Sequence, residues 1–252
     1  MDLYFLILIF FLIFILGILD SAFGQGFGTI GTPLLILIGI ASKTVVPLIL
    51  FSQAILGIVS TIMHTKLKNV DLSNHNTHDS KRFYLFSLTG ISSVIIASIV
   101  GASLPSYIVR YYIGIIVTLV GVLLIINFKI NFTWSRAALI GFLSAFNKGL
   151  AGGGYGPIVT GGQTITGIKV KNSVGVTLSS VTLICIFGFI TWFLINGFPP
   201  LNILLTMSIA SIISPIIGSH ITKKLEDLKF KHILGLLIIV LGLITLLGVR
   251  KA

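Results

Sequence analysis

Three consecutive glycines, Gly152, Gly153 and Gly154, followed by Pro157, are the sharpest chemical signal in this chain. Glycine lets a backbone amide approach a ligand closely. Proline suits the first turn of a helix, where its missing N–H is not needed. A helix that starts here presents free N–H groups and a positive dipole end, which together favour an anion. Lys148 lies four residues before the run and Asn147 beside it. The lysine could bring charge to the same helix end or snorkel to an interface, and the asparagine could donate to an oxyanion. Gly24, Gly26 and Gly28, with Gln25 among them, form a looser counterpart near the start of the chain. Close helix packing through small residues competes with the binding reading at both places, and on equal terms at the spaced glycines.

Asp20 is the carboxylate that falls inside a predicted apolar span. Three roles are open to it: carrier of a coupling proton, permanent ion pair with Lys148, or a helix-end carboxylate in water. His75, His78 and Asp79 sit close together, but no cysteine accompanies them and a solvated loop is the expected reading, with no metal. Nucleophile–base pairs, phosphate loops and nucleotide fingerprints are absent, so no cofactor is expected. Cys185 is the single cysteine and is expected to pack as a small hydrophobe.

The elements that must position these residues follow from composition. Only 9% of the 252 residues are charged and 55% are hydrophobic, whereas a soluble domain carries roughly 25% charged residues. Apolar stretches reach the ~20 residues that a helix needs to cross a bilayer core of ~30 Å. They are apolar at every position rather than alternately, which excludes a barrel and leaves helices. The net charge of +11 reads as loop charge that orients the helices rather than as a nucleic-acid surface.

The expected fold is an all-α polytopic membrane protein of about ten transmembrane or partly spanning helices. Long helices are expected over 3–22, 44–63, 83–104, 107–126, 134–149, 172–195, 201–221 and 232–249. Glycine-broken short segments are expected over 28–40 and 153–168, and polar loops over 64–82 and 222–231. If every segment crosses, alternate loops place Lys66, Lys68, Lys81, Arg82 and most other basic residues on one side. Lys43, Arg110, Lys148, Arg250 and Lys251 fall on the other. The first side is then cytoplasmic and both termini lie outside a cell membrane.

The chain also repeats itself. Pro33 follows Gly17 by sixteen residues, as Pro157 follows Gly141, and Leu19 matches Leu143 and Gly28 matches Gly152. Further on, Lys43 matches Lys171 and Ser52 matches Ser180. Each half runs long helix, glycine break, short segment with proline, basic residue, long helix. Five segments per copy make the copies inverted, with repeats 1–127 and 128–252 and a site between their broken helices.

The stretch from Gly149 to Pro157, followed by Lys171 to Thr177, resembles the second-repeat motif of the TauE/SafE sulfite-exporter family of permeases. Gly24 to Pro33 is its first-repeat counterpart, with spaced glycines where family members often have a run. The resemblance implies a secondary transporter that exports a small anion such as sulfite or an organosulfonate across the lipid bilayer. An intramembrane enzyme, with Asp20 and Lys148 as its pair, and a channel or structural subunit are the alternatives.

Overall fold

A computed structural model describes residues 3–126 and 133–224, together with residues 239, 240, 243 and 246. Among the described residues the ordered elements are helices: α1 (Leu3–Phe23), α2 (Phe27–Leu37), α3 (Ser42–Lys66), α4 (His78–Ser103), α5 (Ser106–Ile126), α6 (Trp134–Ala151), α7 (Tyr155–Ile165), α8 (Val170–Asn196) and α9 (Leu201–Lys224). Helices α1, α3, α4, α8 and α9 are long and apolar enough to cross a membrane. Exposed Leu, Ile and Phe side chains line their outer faces, as lipid contact requires. Most of the expected helix over 232–249 and of the loop 222–231 lies outside the described residues, although Leu246 packs on Gly114 of α5.

The two short segments are helices of 11 residues each. At 1.5 Å per residue each is about 16 Å long, half of a bilayer core. Both end earlier than the sequence suggested because Gly39 and Gly167 adopt positive φ, 98° and 89°, just beyond them. The polar loop 64–82 is shorter than expected. Helix α3 continues through His64, which is buried and whose Nε2–H donates to the Ser21 carbonyl. Helix α4 begins at His78 because the Thr77 side chain accepts from the Ser80 amide, an N-cap that satisfies one orphan donor.

Contacts at glycines give the helix directions. Gly141 and Gly149 of α6 face Phe86 and Val94 of α4, so the two run parallel. Gly17 faces Ser214 and Gly218 faces Ile18 and Ser21, so α1 and α9 run parallel as well. In the centre Gly57 of α3 meets Thr182 of α8 while Gly188 of α8 meets Leu50 of α3, so this pair is antiparallel. Without a hydrophobic drive between helices in lipid, such close approaches are where packing energy comes from. Two pairings cross between the halves of the chain, α1 on α9 and α4 on α6, and two stay within them, α2 on α3 and α7 on α8. The ends of α3 and α9 meet through Asn69 Nδ2 and the Ser219 carbonyl, 3.2 Å apart. The starts of α4 and α8 meet through Asp79 and Asn172. Lys66, Lys81, Lys169, Lys171 and Lys223 are exposed at these ends.

Candidate functional site

The two glycine breaks cross one another in backbone contact. Gly152 and Gly154 carry φ of 71° and 86°, Gly24 and Gly26 φ of 68° and 123°, so each break turns through conformations that a side chain would strain. Gly28 and Gly153 are required for a different reason. A Cβ on Gly28 would lie 1.9 Å from the Gly152 oxygen and 2.7 Å from Lys148 Nζ. A Cβ on Gly153 would lie 2.7 Å from the Gly28 oxygen. Two hydrogen bonds tie the crossing: the Gly154 amide donates to Thr29 Oγ1 at 3.0 Å, and Thr160 Oγ1 donates to the Gly24 carbonyl at 3.1 Å.

Among the described residues, two buried charges, Asp20 and Lys148, point into this crossing. Asp20 is 2% exposed and Lys148 1%. They do not pair directly. Asp20 Oδ1 accepts from the Phe27 amide at the start of α2, at 3.2 Å. Asp20 Oδ2 accepts from Gln53 Nε2 at 2.8 Å. The other end of the same side chain, Gln53 Oε1, accepts from Lys148 Nζ, which also donates to the Gly152 carbonyl. Gln53, on α3, thus joins the two charges. Sequence reasoning missed it; the available signal was a lone carboxamide inside a 25-residue apolar span.

Of the expected site residues, Asp20, Gly24, Gln25, Gly26, Gly28, Lys148, Gly152, Gly153 and Gly154 converge here. Asn147 does not join them: its Oδ1 accepts from Tyr112 OH of α5. Gln25 Oε1 and Thr32 Oγ1 are buried without a hydrogen-bond partner among the described residues, and Thr32 Oγ1 lies 2.8 Å from where a Gly152 Cβ would be.

A second polar cluster corrects the sequence reading of Asp79 and Arg82 as solvated loop charges. Both are buried and form a salt bridge. Asp79 Oδ2 also accepts from Asn172 Nδ2 at 2.6 Å and from the Asp71 amide at 3.0 Å. Arg82 donates to Gln163 Oε1 of α7 at 3.2 Å. His75 contacts the Tyr84 hydroxyl. Among the described residues no group of three or more His, Cys, Asp or Glu could hold a metal.

Long apolar helices around two short half-helices, with buried charges where the glycine breaks cross, define a multi-pass membrane protein. The model of the sulfite exporter TauE/SafE family matches residues 9–245, and the chain belongs to that family. It is similar to a protein of Methanocaldococcus jannaschii described as a probable membrane transporter, with 28% identity over 93% of this chain and 92% of that protein. No solved structure matches significantly.

Proposed function

We propose that this chain is a secondary transporter that exports a small anion, sulfite or an organosulfonate, through a site at the crossing of the two glycine breaks. One observation carries the reading. The contacts of Lys148 Nζ, buried in α6, are a carboxamide oxygen and a backbone carbonyl rather than a carboxylate. Charge at that depth is costly, and the direct partners of Lys148 are neutral, so an anion among Lys148, the half-helix N-termini and the unpartnered Thr32 hydroxyl could bind it directly. The family's name supports sulfite, and Asp20 is the residue suited to carry a coupling proton. The halves 1–127 and 128–252 act as inverted repeats that rock about this fixed site.

Substrate-saturable counterflow in proteoliposomes separates a transporter from a channel or an intramembrane enzyme. A thermal-shift screen against sulfite, thiosulfate, sulfoacetate, taurine and sulfate identifies the anion. Lys148→Met is expected to weaken binding by about 1.5–3 kcal/mol, the worth of one charge-assisted bond. Lys148→Arg should be tolerated only in part, because its planar fork does not fit between Gln53 and Gly152. Unchanged binding and uptake by Lys148→Met at matched membrane levels would place the site elsewhere.

The basic residues at the ends of α3 and α9 and the starts of α4 and α8 make that face cytoplasmic by the positive-inside rule, with both termini outside. Single cysteines at Ser73 and Ala252 should then label from opposite sides of the membrane. Labelling of both from one side would reverse the assignment.

A further inference from the structure

Two donors suited to a transported anion are already in use. The Phe27 amide, first in α2, is the kind of helix-start N–H that binds free anions, and Asp20 Oδ1 occupies it. The Gln53 amide donates to Asp20 Oδ2. Asp20 therefore holds two donors with its two oxygens, much as a sulfonate or hydrogensulfite would hold them with two of its own.

Charge makes the substitution specific. With Asp20 ionised and Lys148 protonated, the crossing is neutral overall. Adding a monoanion would leave a net negative charge in the membrane interior, beside a carboxylate that repels it. If Asp20 takes up a proton as the monoanion arrives, the site again holds one positive and one negative charge. A dianion would leave it charged even then, at the cost that attends any unbalanced charge at this depth. The groups facing Asp20 are consistent with this count. From α3 comes the Gln53 amide, while His64 of the same helix bonds the carbonyl of the next residue, Ser21. Helix α6 contributes Lys148 and α8 contributes Cys185, while the Pro215 carbonyl of α9 accepts from Ser21 rather than facing Asp20. Lys148 is the cation of the set.

We infer that Asp20 is a tethered occupant of the anion site, displaced when it takes up a proton, so that the protein binds a monovalent oxyanion together with one proton. The proton comes from water on the side from which the anion enters and resides on the Asp20 carboxyl. The neutral acid releases the Phe27 and Gln53 donors to the anion. This rests on the anion reading proposed above and goes beyond it in fixing the charge of the substrate and the sense of the coupling.

Methanesulfonate is the probe, because it stays a monoanion from about pH 5 to about pH 8, the range over which a perturbed side chain is most readily titrated. Its binding to the full-length protein in nanodiscs is expected to weaken about tenfold per pH unit once Asp20 is ionised. Calorimetry in buffers of different ionisation enthalpy should show about one proton taken up per anion. Sulfate should bind at least about tenfold more weakly, the effect of a single unbalanced charge-assisted contact. Asp20→Asn, which cannot ionise, should remove the pH dependence. If that variant fails to insert, proton uptake by the unmodified protein still decides. Binding that is sensitive to Lys148→Met but takes up no proton, or that favours sulfate, overturns the coupling and leaves the anion site standing. No binding by any of these anions overturns both.

Discussion

Replacing Gly153 with valine is expected to abolish transport while leaving the protein inserted in the membrane. The added Cβ would stand 2.7 Å from the Gly28 oxygen and 2.9 Å from the Thr29 Cα. Those neighbours are backbone, so neither can rotate out of the way, and one break must move off the other. The movement would disturb the Gly154–Thr29 hydrogen bond and the approach of Lys148 to Gly28. A displacement of about 1 Å in a positioned site can cost on the order of a hundredfold in rate, and that loss of uptake is the expected reading at matched membrane levels. Gly161→Ala and Gly162→Ala are the controls. They lie in α7, more than two turns past Gly153, where an added Cβ meets nothing within 4 Å, and should transport like the parent. Equal activity in all three variants would mean that the crossing does not need to be this close.

The contrast between these glycines shows what was legible in the sequence. A run of three glycines before a proline, in an apolar chain, marks a broken helix without any structure, and Lys148 and Asp20 stand out as charges within apolar spans. That the two breaks touch, and that α1 packs on α9 and α6 on α4, is visible only in the fold. The role of Gln53 was not legible. A neutral amide in a long span resembles many that only bond a neighbouring helix, and its position depends on how α3 sits between residues 33 and 95 positions away. Asn147 was misjudged for a simpler reason. Adjacent residues on a helix point about 100° apart, so when Lys148 faces the crossing its neighbour faces α5.

Asp79 and Arg82 were hidden by composition, since a charged run beside an apolar span reads as loop. The Thr77 cap draws them into the first turn of α4, where their spacing of three places both on one face. Burial makes them an energetic liability if separated. Arg82→Met should destabilise the protein by about 3–5 kcal/mol, because it leaves the Asp79 carboxylate in a buried site with only the Asn172 amide and the Asp71 N–H as donors. The double variant Asp79→Leu with Arg82→Met removes both charges and should recover most of that loss, since replacing a buried pair by packed apolar groups is often neutral or better. Thermal unfolding of the detergent-solubilised protein measures both. Transport should respond differently from stability. Arg82 donates to Gln163, Gln163 donates to Thr177, and the Thr177 hydroxyl bonds that of Thr160, whose own proton goes to the Gly24 carbonyl. Bonds therefore run without interruption from the 67–77 loop to the first glycine break. If the double variant regains stability and also full uptake, these bonds only hold helices together. Stability regained with uptake still depressed is the expected result, because α7 would then have lost its tie to α4.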